Sequence, residues 1–177
     1  MVQRPATALA AAVLGRYGIE RVRMSVVAEG GSFETDGQGT LLVTESSVVN
    51  QRRNPGKSRD EIEAELKKAL GVTKVIWFAG VRDQDMTDAH VDCLVRFAAP
   101  GVVLLDQPFS GAPADVWSRS AAQAREVLKS ATDAHGRGER MPYLASDRAS
   151  LSVRPSVRTP RRLLRSSHER SRRRNAG

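Results

Sequence analysis

A chain of 177 residues, 40% hydrophobic and 5% aromatic, is long enough for one domain with a buried core. Its net charge of +8 invites a nucleic-acid or membrane partner, yet twelve of its 28 basic residues and three of its 20 acidic ones lie beyond residue 135. The first 135 residues therefore carry a net −1, so the excess positive charge belongs to the tail alone.

The apolar run Ala8 to Leu14 is followed at once by Arg16, Glu20, Arg21 and Arg23, so Ala6 to Tyr17 reads as a helix stopped by Gly18 rather than as an export signal. No stretch approaches the roughly 20 apolar residues of a membrane span. Arg21 to Ala28 alternates and is rich in β-branched residues, which predicts a strand. Phe33 to Thr44 predicts a hairpin that turns at Asp36-Gly-Gln-Gly39 into a buried strand, Leu41 to Thr44. Val49 to Gly56 is a polar, turn-forming segment in which Arg52 and Arg53 read as solvated charges. Ser58-Arg-Asp-Glu61 is a capping box; it opens a helix with Ile62, Leu66 and Leu70 as its apolar stripe and Gly71 as its stop.

Lys74 to Phe78 predicts the next strand, and an acidic loop from Gly80 to Ala89 leads to another, His90 to Ala98. Pro100-Gly101 turns the chain into a strand at Val102 to Leu105, and Ala114 to Thr132 is a second helix. Strand, strand, helix, strand thus occurs once in full and once without its closing strand. Beyond Gly136 the text turns to Arg, Ser, Pro and Ala, with too few large apolar residues to pack. The expected organisation is an α/β domain over residues 1–135 and a disordered tail over 136–177. The abrupt change of style fits a frame change in the coding DNA near codons 136–140.

Several stretches in sequence order carry a resemblance: Glu29-Gly-Gly-Ser32, Asp36-Gly-Gln-Gly-Thr-Leu-Leu42, Asn50-Gln-Arg-Arg-Asn-Pro55, Gly71-Val-Thr-Lys-Val-Ile-Trp77, Asp85-Met-Thr-Asp-Ala-His-Val-Asp92 and Ala99-Pro-Gly-Val-Val-Leu-Leu105. From about Arg21 to about Ala134 the chain resembles the agmatine deiminase family of guanidine-modifying (pentein) enzymes, relatives of the bacterial peptidylarginine deiminases. That resemblance implies part of a five-bladed α/β propeller, here about two ββαβ-type units. It also implies hydrolysis of a guanidine, agmatine, to a ureido product, N-carbamoylputrescine, plus ammonia, in putrescine and polyamine biosynthesis, with bacterial peptidylarginine deiminase-type activity as the alternative.

The residue types suit that chemistry. A guanidinium carbon is flat, cationic and resonance-stabilised, and carboxylates hold it by charge-assisted hydrogen bonds. A thiolate then attacks the carbon, while a histidine protonates the leaving ammonia and activates water. By resemblance Glu29 is a substrate carboxylate, His90 the general acid and base, and Asp92 its orienting partner or a second substrate ligand. On a strand, His90 and Asp92 would share a face. Cys93, the chain's one cysteine, would then point away from His90 as a small buried hydrophobe and would not replace the family's nucleophile. A single cysteine also rules out an internal disulfide and suits a reducing cytoplasm. Nothing in residues 136–177 resembles the family's glycine-rich His-Cys motif, so the expectation is a chain without that nucleophile and inactive alone. No metal or other cofactor is expected.

Two other classes stay open on the residues alone. Asp83, Asp85, Asp88, His90 and Asp92 offer oxygen and imidazole ligands of the kind a metal-dependent hydrolase uses. The arginine tail suits a basic-tailed binding protein, but Tyr143 is the only aromatic residue in it, which argues against specific nucleic-acid recognition. Oligomeric state is left open, with homo-oligomers allowed.

Overall fold

The computed structural model describes residues 5–109, 111–137 and 143–147. Two three-stranded sheets follow one another along the chain. In the first, β1 (Glu34–Thr35) pairs antiparallel with β2 (Thr40–Thr44), and β2 pairs parallel with β3 (Lys74–Phe78), Thr40 opposite Lys74 and Thr44 opposite Phe78. In the second, β4 (Val95–Ala99) pairs antiparallel with β5 (Val102–Gln107), which pairs parallel with β6 (Tyr143–Asp147). Helices α2 (Glu45–Val48) and α3 (Arg59–Leu70) join β2 to β3, and α4 (Val116–Ser130) joins β5 to β6. The result is two ββαβ units, preceded by helix α1 (Pro5–Arg16).

Local chemistry explains most boundaries. Asp36 closes the hairpin turn by accepting from the N–H groups of Gln38 and Thr40 at 2.8 and 2.9 Å. Ser58 accepts from the Glu61 N–H and Glu61 returns to the Ser58 N–H at 2.8 Å, which is the anticipated capping box; Gly71 ends α3 in the left-handed conformation. Asp115 and Ser118 form a second box at the start of α4.

Every residue of β2 is buried, because the first sheet is covered on both sides. Leu41, Val43, Val75 and Trp77 pack against Ile62 and Leu66 of α3. Leu42, Ile76 and Phe78 pack against Val95, Val103 and Leu105 of the second sheet and Ala124 and Leu128 of α4. Glu34 adds a polar tie between the sheets: it accepts from the Phe97 N–H at 3.1 Å and pairs with Arg96 at 3.3 Å.

Four expectations are corrected. Arg21 to Ala28 forms no strand among the described residues; instead side chains take two of its donors, Ser25 N–H bonding Glu65 and Val27 N–H bonding Asn54, both at 2.7 Å. His90 to Ala98 is not one strand, because Val91–Cys93 forms a 3-10 turn before β4. Leu70, expected on the buried stripe of α3, is 43% exposed. The closing strand of the second unit is present as β6, whose apolar content is short but whose backbone completes the parallel pairing with β5. With it goes one of the observations that suggested a frame change near codons 136–140. Residues 138–142 and 148–177 of the anticipated disordered tail lie outside the described residues.

Candidate active site

Glu29 precedes a short 3-10 turn, Gly30–Ser32, that carries the chain into β1, and His90 precedes the 3-10 turn that carries it into β4. The two turns lie side by side. Glu29 Oε2 is 3.2 Å from His90 Nε2. An ionised carboxylate only accepts, so a hydrogen bond between them requires the hydrogen on Nε2. The Nδ1 of the same ring faces Gly31 together with Asp92: a Cβ on Gly31 would sit 2.5 Å from His90 Nδ1 and 2.8 and 3.0 Å from the Asp92 oxygens. Glycine at this position lets imidazole and carboxylate close over the backbone. The structure thus brings Glu29, His90 and Asp92 to one place, although not by the strand alternation expected of them.

Arg53 had read as a solvated charge, yet its side chain is only 11% exposed. Its Nε–H is shared between both Glu29 oxygens at 2.9 and 3.0 Å, its Nη1 donates to Asp88 at 2.9 Å and its Nη2 to the Met86 carbonyl at 3.3 Å. Burial pushes the Glu29 carboxyl up, but Arg53 and then His90 outweigh it and hold the group below the usual carboxylate range.

Asp88, read from the sequence only as a possible metal ligand, is 3% exposed and central to the loop that delivers His90. Its carboxylate also accepts from Asn50 at 2.8 Å and from the Asp83 N–H at 2.9 Å. The Asp83 N–H lowers its pKa most; burial opposes this, and Arg53 adds to the lowering. Asp83, Asp88 and Ala89 have φ of 57°, 56° and 61°, the left-handed region that non-glycine residues seldom adopt. Ser46 and Thr44 hydroxyls donate to the Asp88 and Ala89 carbonyls at 2.6 Å and help keep the loop in that form.

The acidic loop is committed to these partners, and Arg52 takes Asp83 at 2.7 Å. Among the described residues no three His, Cys, Asp or Glu side chains are grouped as metal ligands. A cavity of about 430 Å³ opens beyond His90, lined by Cys93, Asp85, Asp106, Phe109 and Trp117 among others. Cys93 is exposed rather than buried and shares this wall with His90. The 3-10 turn is the reason: with three residues per turn, positions 90 and 93 stack on the same side.

Residues 3–160 match the Porphyromonas-type peptidyl-arginine deiminase family. The chain belongs to that family. Within this deiminase family it is 42% identical over 120 residues to the agmatine deiminase of Medicago truncatula, a match covering 67% of this chain and 32% of the relative. It is 43% identical over 111 residues to the agmatine deiminase of Pseudomonas fluorescens strain SBW25, covering 63% and 30%. The solved agmatine deiminase of Enterococcus faecalis superposes with a TM-score of 0.68 at 33% identity, over 76% of this chain and 36% of that one. The chain therefore spans about a third of the length of these relatives. Among the described residues no helix is long and apolar enough to cross a membrane.

Proposed function

We propose that this chain carries the carboxylate–histidine part of a guanidine-hydrolysing centre, with agmatine as the guanidine. The reaction adds water to the guanidine carbon and releases ammonia, leaving N-carbamoylputrescine, a precursor of putrescine. The observation that carries the proposal is the convergence of Glu29, His90 and Asp92, with Glu29 Oε2 at 3.2 Å from His90 Nε2 and both His90 and Asp92 closing over Gly31. Glu29 and Asp92 supply acceptors for a planar cation, and His90 exchanges the proton that ammonia needs to leave. Agmatine is favoured over a peptide-borne arginine by the relatives named agmatine deiminase at 42–43% identity. The negative charge of Asp85, Asp106 and Asp115 on the cavity wall, though these carboxylates have partners in the fold, favours a substrate tail ending in an ammonium. A cytoplasmic setting fits this chemistry and a chain with one cysteine.

The covalent route needs a thiolate at the guanidine carbon, and Cys93 is the only thiol in the chain. Cys93 stands outside any glycine-rich His-Cys motif of the family's kind, so binding without turnover is the expected behaviour. Agmatine titrated into the full chain in a calorimeter should give saturable binding that Glu29→Gln removes, with ammonia release no faster than the uncatalysed background. An unaltered titration curve in Glu29→Gln would refute the site. Turnover that Cys93→Ser abolishes would instead make Cys93 the nucleophile, while turnover that survives the change would reveal another.

A further inference from the structure

We propose that Arg53 is a positioning residue of this centre, tying the Glu29 carboxylate to the left-handed loop that presents His90. The proposal rests on the guanidine-hydrolysing function above and adds to it a residue that touches no reacting atom.

Among the described residues Arg53 is the one side chain bonded both to Glu29 and to the loop before His90. Glu29 enters from the segment before β1 and His90 from the segment before β4, and 60 residues separate them in the chain. Their direct link is a single 3.2 Å contact, and the Glu29 side chain is 49% exposed. A half-exposed carboxylate on a turn would sample several rotamers. Nε of Arg53 spans both of its oxygens, which fixes the plane of the carboxylate as well as its charge. The other end of the guanidinium grips the His90 loop at Asp88 Oδ2 and at the Met86 carbonyl.

That loop needs a grip. Asp88 and Ala89, directly before His90, both hold left-handed backbone, which persists only where the surroundings over-determine it. Ser46 and Thr44 fix the two carbonyls, and Asn50 and Arg53 fix the Asp88 carboxylate. Gly80 leaves the room for this packing, since a Cβ there would collide with Ser46 Oγ. Lysine could not replace the fork: one ammonium cannot reach Glu29, Asp88 and the Met86 carbonyl together.

The test uses the full chain with Arg53→Met, Arg53→Lys and, as a control, Arg52→Met, whose arginine is exposed and pairs only with exposed Asp83. Two quantities are read: agmatine affinity, and the titration midpoint of the Glu29 side-chain carboxyl followed by carbon-13 NMR. Arg53→Met should weaken agmatine binding on the order of tenfold or more and raise the Glu29 midpoint toward the ordinary carboxylate range. Arg53→Lys should remain folded, lose affinity several-fold and leave the midpoint between the two. Arg52→Met should change neither. If Arg53→Met does not fold, Arg53→Lys decides, and its matching the unaltered chain in both readouts would overturn the proposal, as would an unmoved Glu29 midpoint in folded Arg53→Met. Lack of agmatine binding by the unaltered chain would refute the guanidine function alone, since the Glu29 titration still decides the role of Arg53.

Discussion

Gly31→Ala is the most discriminating single change at the site. The added methyl would lie 2.5 Å from His90 Nδ1 and 2.8 and 3.0 Å from the Asp92 oxygens. Ordinary contact begins near 3.4 Å, so the imidazole must retreat by about 0.9 Å and the Asp92 carboxylate by about half as much. The His90–Glu29 contact is already 3.2 Å, and a displacement of that size takes it out of hydrogen-bonding range. Losing a charge-assisted bond of about 1.5–3 kcal/mol corresponds to roughly ten- to a hundredfold in affinity. The obstructing atoms are side-chain ends, so the fold should suffer less, with overpacking costing about 1–3 kcal/mol. Gly30→Ala is the matched control, because a Cβ at Gly30 meets nothing within 4 Å. Calorimetric titration with agmatine, alongside thermal melts, should separate the pair: Gly31→Ala folded but binding at least tenfold more weakly, Gly30→Ala unchanged in both. Equal affinity in the two variants would refute the claim that His90 and Asp92 close over Gly31.

Two further outcomes follow from burial and charge. Asp88 and Asp133 are 3% and 0% exposed and both carboxyls are held below their ordinary range, Asp88 chiefly by the Asp83 N–H and Asp133 by Arg137 and nearby N–H groups against the effect of burial. Groups with depressed folded pKa values stabilise the fold above the unfolded value near 3.9, and that stabilisation is lost as pH falls through the folded value. The urea midpoint should therefore drop from about pH 5 downward, with a shallower drop in Asp133→Asn, and a midpoint flat to about pH 2.5 would contradict the assignment. Cys93 is exposed, so one thiol per chain should react with Ellman's reagent without denaturant, whereas reaction only in urea would restore the buried orientation expected from a strand.

The elements legible in the sequence were those fixed by local rules. Both ends of α3 follow from Ser58, Glu61 and Gly71, and the hairpin follows from Asp36 and its glycines. Arg21 to Ala28 misleads because alternation reports burial, not pairing: Val26 is buried, yet Asn54 and Glu65 side chains take the place of a neighbouring strand. At the site, Glu29, His90 and Asp92 were visible through their motifs. Arg53 and Asp88 were not, because their meaning lies in bonds spanning 24 and 35 residues. The available hint was the polar run Asn50 to Asn54, whose two asparagines are buried and bond the backbone or Asp88.

The apolar cluster that joins the two sheets bears on how such a molecule could have been assembled from repeats. In solenoids each repeat carries its own stability and a modest coupling to its neighbours. Here the balance is reversed: Leu42, Ile76 and Phe78 of one unit have Val95, Val103, Leu105 and the inner face of α4 as their counterpart. Separated, the first unit would keep its core under α3 but present Leu42, Ile76 and Phe78 to water. Duplication can copy such a unit with the interior under its own helix, but the other face of the copied sheet is covered only beside a twin.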